Sequence, residues 1–156
     1  MDLQRELARY MALCSRREYA GYDIVSVLKR KGVSQQEAEE LLRKLKESGF
    51  VDDRRYVTAF VRDKVLLAGW GGSKVEYQLR MKGFTPALIA EAFEELDKED
   101  AGRRMEEVIV RKYNSLKDEA DQTKKRAKVI RFALSRGFSY DQASLVLSEL
   151  ESRNKE

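Results

Sequence analysis

Apolar residues recur every three or four positions through most of the chain, the spacing that gathers side chains on one face of an α-helix. Residues 3–14 show the pattern first, with Leu3, Leu7 and Tyr10 on the apolar side. Similar stretches follow, separated by short polar or glycine-containing segments. The spacing therefore predicts an all-α protein of about nine helices.

One stretch occurs three times and organises this series of helices. The copies occupy residues 27–45, 78–96 and 132–150, and they align on Gly32, Gly83 and Gly137. In each copy a basic residue precedes the glycine, and an apolar residue and then a hydroxyl residue follow it. Agreement at so many positions indicates one structural unit that is used three times.

Each copy is predicted to form a helix, a tight turn and a second helix. Glycine readily adopts positive φ just beyond a helix C-terminus, where other residues are strained. The hydroxyl residue then caps the next helix by accepting a backbone N–H bond. Ser34 with Glu37, and Ser139 with Gln142, have the spacing of a capping box. The single proline, Pro86, stands at a first helical position, where no N–H is needed.

Capping residues also predict where the second helix begins. Ser15 and Glu18 have the spacing of a capping box, so we expect the helix to start there and to run to Lys31. Gly21 would then lie in its first turns and weaken it.

Two further helices have predicted start points of the same kind. Asp52 or Asp53 is expected to begin a helix that extends to about Ala68, and Leu67 falls on its broad apolar face. Thr123 is expected to cap the eighth helix.

Together these elements predict three tandem three-helix modules, at residues 1–52, 53–99 and 100–156. Each module is too small to enclose a large core alone, so neighbouring modules are expected to pack on one another. An array of this kind is expected to be elongated and curved, with a concave side suited to wrapping a partner.

The composition narrows the possible chemistry. The chain has no histidine and one cysteine, so a zinc site of the usual kind cannot be built, and we expect no metal and no cofactor. No catalytic residues are predicted, since the one paired carboxylate, Asp52–Asp53, is explained by a helix start. Cys14 continues an apolar helix face and is expected in the core; a lone thiol favours the cytoplasm. No apolar run is long enough for a membrane span.

Basic residues are concentrated in residues 122–137, which contain no acidic residue although the net charge of the whole chain is only +4. Lys124, Lys128 and Arg131 share one predicted helix face, opposite Val129 and Ile130. This face is a candidate contact for phosphates or for an acidic protein surface, and the alternative is a solvated face. The candidate contact residues are Lys74, Lys124, Lys125, Arg126, Lys128 and Arg131.

Trp70 lies in a glycine-rich loop, between Gly69 and Gly71. It could cover a junction between modules. Alternatively, it is an exposed anchor for a partner, a role that tryptophan often has at interfaces.

Several motifs resemble those of one bacterial family. Residues 48–56 read SGFVDDRRY and are followed by AFVR at 59–62; residues 71–82 form a glycine-led loop and a helix that ends in a basic residue; residues 136–141 read RGFSYD. In order and spacing they resemble the signature of the RecX regulatory proteins over nearly the whole chain.

The resemblance implies an all-α repeat protein that binds the recombinase RecA, mainly as a filament on single-stranded DNA. It also implies inhibition of strand exchange, ATP hydrolysis and co-protease activity, with direct DNA contact in some members. We expect a monomer that is not an enzyme. The alternatives are a stand-alone DNA-binding repeat protein and, less in keeping with the residues, a carboxylate-dependent enzyme.

Overall fold

A computed structural model describes residues 2–155 of the chain. Over this range it contains nine α-helices and a short π-helical segment, Asp63–Leu67, and no strand, so the prediction of an all-α protein is confirmed. None of the helices within residues 2–155 combines the length and the apolar character needed to cross a bilayer. The helices are α1 Leu3–Cys14, α2 Gly21–Arg30, α3 Gln35–Glu47, α4 Asp53–Arg62, α5 Gly72–Met81, α6 Pro86–Glu95, α7 Lys98–Ser115, α8 Gln122–Ser135 and α9 Tyr140–Asn154.

The three repeated turns share one backbone geometry. Gly32, Gly83 and Gly137 have φ angles of 95°, 88° and 98°. In the first turn the Val33 N–H donates to the Leu28 carbonyl at 3.0 Å, the bond that closes a Schellman motif, and the other two turns have the equivalent bond. The apolar residue after each glycine is buried, which seals the turn against the preceding helix.

Hydroxyl residues cap the helices that follow the turns. The Ser139 oxygen accepts from the Gln142 N–H at 3.0 Å, and the Gln142 side chain accepts from the Ser139 N–H at 2.8 Å, which is a complete capping box. The Ser34 oxygen accepts from the Glu37 N–H at 3.1 Å, but the Glu37 carboxylate accepts from the Ser34 hydroxyl instead of the backbone. The capping box predicted at Ser34 is therefore only half formed.

The predicted start of the second helix at Ser15 is wrong. Ser15 ends α1, and its hydroxyl donates to the Met11 carbonyl at 2.8 Å. The helix α2 begins at Gly21, after a fully buried Ala20 that provides no side-chain cap. The first turn of α2 packs closely on α3, since a Cβ atom on Gly21 would lie 2.7 Å from the Leu42 side chain.

The fourth helix ends near Ala68 as predicted, but its last part is π-helical. Asp52 caps its start by accepting from the Arg55 N–H at 3.0 Å. The Ala68 N–H donates to the Asp63 carbonyl, five residues back, at 3.0 Å. This wider turn rotates the following side chains relative to an α-helix. Leu67 is accordingly 73% exposed, and its predicted place on the apolar face is wrong.

The eighth helix begins two residues earlier than predicted. Asp121, and not Thr123, is its cap, because the Asp121 carboxylate accepts from the N–H groups of Thr123 and Lys124 at 3.0 and 3.3 Å. An aspartate here also meets the positive end of the helix dipole.

Backbone contacts divide the chain into two compact units. The first contains Met1–Ala59 and Leu79–Ala92. In it α1, α2 and α3 enclose a core that includes Ile24, Leu28 and Leu45. Cys14 is buried in this core, as predicted, and burial raises the pKa of its thiol. The Tyr56 and Phe84 rings stack in the same unit, with centroids 5.5 Å apart.

The second unit contains Phe60–Gln78 and Phe93–Glu156. The helices α7, α8 and α9 pack against one another, and the π-helical segment lies on α7. The buried core of this unit includes Val108, Ile109, Tyr113, Val129, Ala133, Phe138, Ala143, Val146, Leu147 and Leu150. The boundaries of the three predicted modules stay a prediction.

Candidate functional site

The predicted basic face of α8 is exposed on the second unit. Lys124, Lys128 and Arg131 are all exposed, while Val129 on the other side is fully buried. The Lys128 ammonium lies 2.8 Å from the Glu119 carboxylate, and this hydrogen bond lowers the pKa of Glu119. Lys124 and Arg131 make no side-chain hydrogen bond or ion pair with any residue from 2 to 155. These two cations are available to a partner.

Two other predicted contact residues on α8 have structural contacts. Arg126 donates to Glu151 at 3.0 Å and to Ser144 at 2.8 Å, which ties α8 to α9. The Lys125 ammonium lies 3.8 Å from the centroid of the Tyr113 ring. Both side chains are partly buried. They support the fold at this place in addition to any role in binding.

Lys74 and Trp70 are close together on the second unit. The Lys74 ammonium lies 4.2 Å from the Trp70 ring centroid, and Lys64 lies 4.8 Å from the same ring. The indole is partly buried and meets Phe60 edge-on, with centroids 6.3 Å apart. A partly buried ring with two ammonium groups over it is another basic feature of the second unit. The roles of Trp70 in a junction or as an anchor stay predictions.

The loop beside Trp70 packs directly on the third repeated turn. The Gly71 N–H donates to the Arg136 carbonyl at 2.6 Å, and Ser73 donates to the Gly137 carbonyl from its backbone at 3.1 Å and from its hydroxyl at 2.9 Å. A Cβ atom on Gly71 would lie 2.2 Å from the Gly137 backbone. Glycine is needed here because two backbone segments touch. This contact places Lys74 beside the C-terminal end of α8.

A pocket between α7 and α8 was not predicted from the sequence. It has a volume of about 230 Å³, and its charged lining is entirely basic. We call it the cationic pocket, and it is formed by Arg104, Arg111, Lys112, Phe132 and Arg136.

The contacts within the cationic pocket hold most of its cations in place. The Lys112 ammonium and the Arg136 guanidinium lie 5.3 and 5.0 Å from the Phe132 ring centroid. Arg136 also donates to the Ala68 carbonyl at 3.3 Å, and Arg104 donates to the Leu67 carbonyl at 3.1 Å. The Arg111 side chain has no hydrogen-bond or ion-pair partner among residues 2–155. Arg104 is also paired with the Glu107 carboxylate, 3.3 Å away, so Arg111, Lys112 and Arg136 are the cations that remain for an anionic group such as a phosphate.

The basic pocket residues on α7 could not be recognised from the sequence. Acidic residues alternate with the basic ones along it, so residues 98–115 carry no obvious basic run. Helical spacing was the available signal, because Arg104, Val108 and Arg111 share one face. Only the packing of α7 on α8 shows that Arg136 completes the set.

The repeated helical units define an all-α helical repeat protein with exposed basic side chains. The family description "RecX, second three-helix domain" matches residues 52–92, and "RecX, third three-helix domain" matches residues 103–147. The chain is 31% identical over 137 residues to the regulatory protein RecX of Vibrio vulnificus, which covers 88% of this chain and 87% of that protein. The chain therefore belongs to the RecX family of regulatory proteins.

Other relatives are longer than this chain. It is 35% identical over 123 residues to the regulatory protein RecX of Clostridium botulinum, and the match covers 78% of the chain and 57% of that relative. The chain thus spans little more than half of that protein.

Two solved structures share the fold. A crystal structure of a regulatory protein RecX superimposes with a TM-score of 0.79 at 20% identity, covering 94% of this chain and 71% of that one. RecX from Lactobacillus salivarius gives a TM-score of 0.76 at 17% identity, covering 96% of both chains. At these identities the similarity shows the fold alone.

Proposed function

We propose that this chain binds RecA, chiefly as its filament on single-stranded DNA, and inhibits strand exchange, ATP hydrolysis and co-protease activity. The observation that supports this most directly is the 31% identity to a regulatory RecX protein over 88% of the chain. In the cell this activity would belong to DNA repair and to control of the SOS response. We propose that the protein acts as a cytoplasmic monomer and without a cofactor.

The basic features of the second unit are the proposed contact surface. A RecA filament carries DNA phosphates and acidic side chains, so it offers anionic groups to Lys124, Arg131 and Arg111. Lys128 and Lys74 extend this surface. Several small footprints on one chain bind together more tightly than each alone, because the first contact raises the effective concentration of the next.

The first test is ATP hydrolysis by the cognate RecA on single-stranded DNA, with this protein titrated from well below to equal molar ratio. We expect inhibition below an equimolar ratio, because one molecule that bridges or caps a filament affects many RecA subunits. An unchanged hydrolysis rate at equimolar protein, with no change in filament length by electron microscopy, would refute the proposal.

The contact surface has its own test. The double substitution Lys124→Ala/Arg131→Ala removes two exposed cations without a partner, so folding should be unaffected while half-maximal inhibition moves to at least about tenfold higher concentration. Arg5→Ala/Lys44→Ala is the matched control, since both residues are exposed and lie on α1 and α3. Equal inhibition by the two double variants would show that the α8 face is not the contact.

A second candidate function, stand-alone DNA binding, is favoured by the cationic pocket. Four basic side chains around one small cavity can hold a backbone phosphate without any RecA. A salt titration separates the two functions: direct binding to a single strand through several phosphates has a slope near −0.7 per contact in log affinity against log salt. A flat salt dependence in the absence of RecA would reject this second function.

A further inference from the structure

A second surface with a ligand-binding composition lies on the first unit and contains none of the candidate contact residues described above. It is a cleft of about 690 Å³ along α2 and the segment that precedes it. We call it the aromatic–basic cleft, and the side chains that matter are Tyr19, Tyr22, Arg17, Lys29 and Arg30.

The aromatic part of the cleft has one open ring. Tyr22 is 55% exposed and makes no ring contact within residues 2–155. Tyr19 beside it is already engaged: the Arg17 guanidinium lies 3.7 Å from its ring centroid, and Tyr10 meets it edge-on with centroids 6.2 Å apart. The Tyr19–Arg17 pair forms a fixed wall, and Tyr22 offers a free ring face next to it.

The basic part of the cleft lies on the same face of α2. Lys29 and Arg30 follow Tyr22 by seven and eight positions, which places them roughly 10–12 Å along the helix axis. Both side chains are exposed and have no hydrogen-bond or ion-pair partner among the described residues. The one acid in the lining, Asp23, is neutralised by Lys82, whose ammonium lies 2.7 and 2.8 Å from its two carboxylate oxygens. The cleft therefore has a positive balance.

A free aromatic face with two free cations about two helical turns away matches one class of ligand. An unstacked base stacks on an aromatic ring, and the phosphates of the same strand bind lysine and arginine. An acidic peptide would use the cations but leave the ring without a function, and a duplex would keep its bases stacked on each other. The combination thus selects a single strand over either of these.

We propose that the aromatic–basic cleft binds single-stranded nucleic acid, with a base on Tyr22 and backbone phosphates on Lys29 and Arg30. The site rests on the second function proposed above, stand-alone DNA binding, and assigns it to named residues of the first unit. It does not depend on RecA, so its test is separate from the test of RecA inhibition. The first unit would then bind the strand directly, while the α8 face of the second unit is the surface proposed to contact the RecA filament.

The test measures binding of the intact chain to a fluorescein-labelled, twenty-residue oligo-dT by anisotropy, with no RecA present. Stacking on an aromatic side chain contributes enough that Tyr22→Ala should weaken binding about 5- to 150-fold. Tyr22→Phe keeps the ring and should bind like the wild type. Tyr77→Ala is the matched control, because Tyr77 is 61% exposed and lies outside the cleft.

An abasic oligomer of the same length separates the base from the phosphates. Tyr22→Ala should not affect binding to this probe, while Lys29→Ala/Arg30→Ala should weaken binding to both probes and lower the salt slope by about 1.4, two contacts of 0.7 each. Repeating the titration with oligo-U tells RNA from DNA, and a Tyr22-dependent loss with either sugar supports the proposal.

Three outcomes would overturn it. The first is unchanged oligo-dT affinity in Tyr22→Ala while circular dichroism shows the variant folded. The second is an equal loss in Tyr22→Ala for the abasic and the normal strand. The third is displacement of the oligo-dT by polyglutamate at equal charge concentration, which would identify the cleft as a site for acidic protein. Inhibition of RecA hydrolysis by the same variants reports on the other proposal independently.

Discussion

The turns at Gly32 and Gly137 have the same sequence pattern and the same backbone, but their surroundings differ. Their φ angles are 95° and 98°, and each is closed by the same hydrogen bond from the next residue. A Cβ atom added to Gly32 would meet nothing within 4 Å. The same atom on Gly137 would lie 2.6 Å from the Lys74 backbone nitrogen and 2.8 Å from the Gly71 oxygen.

The difference shows that the same motif has two structural roles in this chain. At Gly32 the glycine is needed only for its own backbone conformation. At Gly137 it also lets a loop of the second unit approach the turn closely enough for three hydrogen bonds. Copies of a repeat that agree in sequence can therefore differ in how much of the tertiary structure depends on them.

The largest effect should come from alanine at these two glycines. Gly32→Ala should cost about 1–2 kcal/mol, the strain of a left-handed alanine. Gly137→Ala adds a collision with two backbone atoms and should cost about 4 kcal/mol or more. Urea unfolding of both variants measures the difference. Equal losses would mean that the loop at Gly71 moves aside without cost.

A smaller effect should separate two basic residues of α8 that are nearly adjacent. Arg126→Ala breaks half-buried hydrogen bonds to Glu151 and Ser144 and should cost about 1.5–3 kcal/mol. Lys124→Ala, on the exposed face, should change the free energy of unfolding by no more than about 0.5 kcal/mol. RecA inhibition should show the reverse order of sensitivity. Similar stability losses for both would contradict the division into structural and available cations.

The smallest effect concerns two core tyrosines, one in each unit. Burial raises the pKa of Tyr10 above its ordinary value of 10.0, whereas hydrogen bonding, first from Gln122 and also from Asn154, lowers the pKa of Tyr113. The contribution of neutral Tyr10 to stability is complete below pH 10 and is lost as the pH rises through its folded pKa. The contribution of Tyr113 has the opposite sign: it is present above pH 10 and is lost as the pH falls through its folded pKa.

Tyrosinate absorbance during an alkaline titration tests this order. Tyr113→Phe should remove absorbance change at a lower pH than Tyr10→Phe does. The order is wrong if Tyr10→Phe removes amplitude before Tyr113→Phe does.

The candidate sites were only partly predictable. The row of Lys124, Lys128 and Arg131 could be read from helical spacing, because residues of one helix face are close in sequence. Arg126 is also a predicted contact residue. Its hydrogen bonds go to α9, however, and spacing along α8 cannot show this. The cationic pocket joins Arg111 to Arg136 from different helices, so no local pattern contains it.

The helices, the three glycine turns and most of their caps could be predicted from local sequence, since they depend on hydrogen bonds and backbone angles among residues a few positions apart. The other features of the fold depend on contacts between residues that are far apart in the sequence. Gly21 packs closely against Leu42 of α3, and the loop at Gly71 meets the turn at Gly137 by direct backbone contact. The place of Leu67 follows from a π-helical turn that packs on α7. Each of these involves atoms distant in sequence, and their steric fit is settled only when the helices pack.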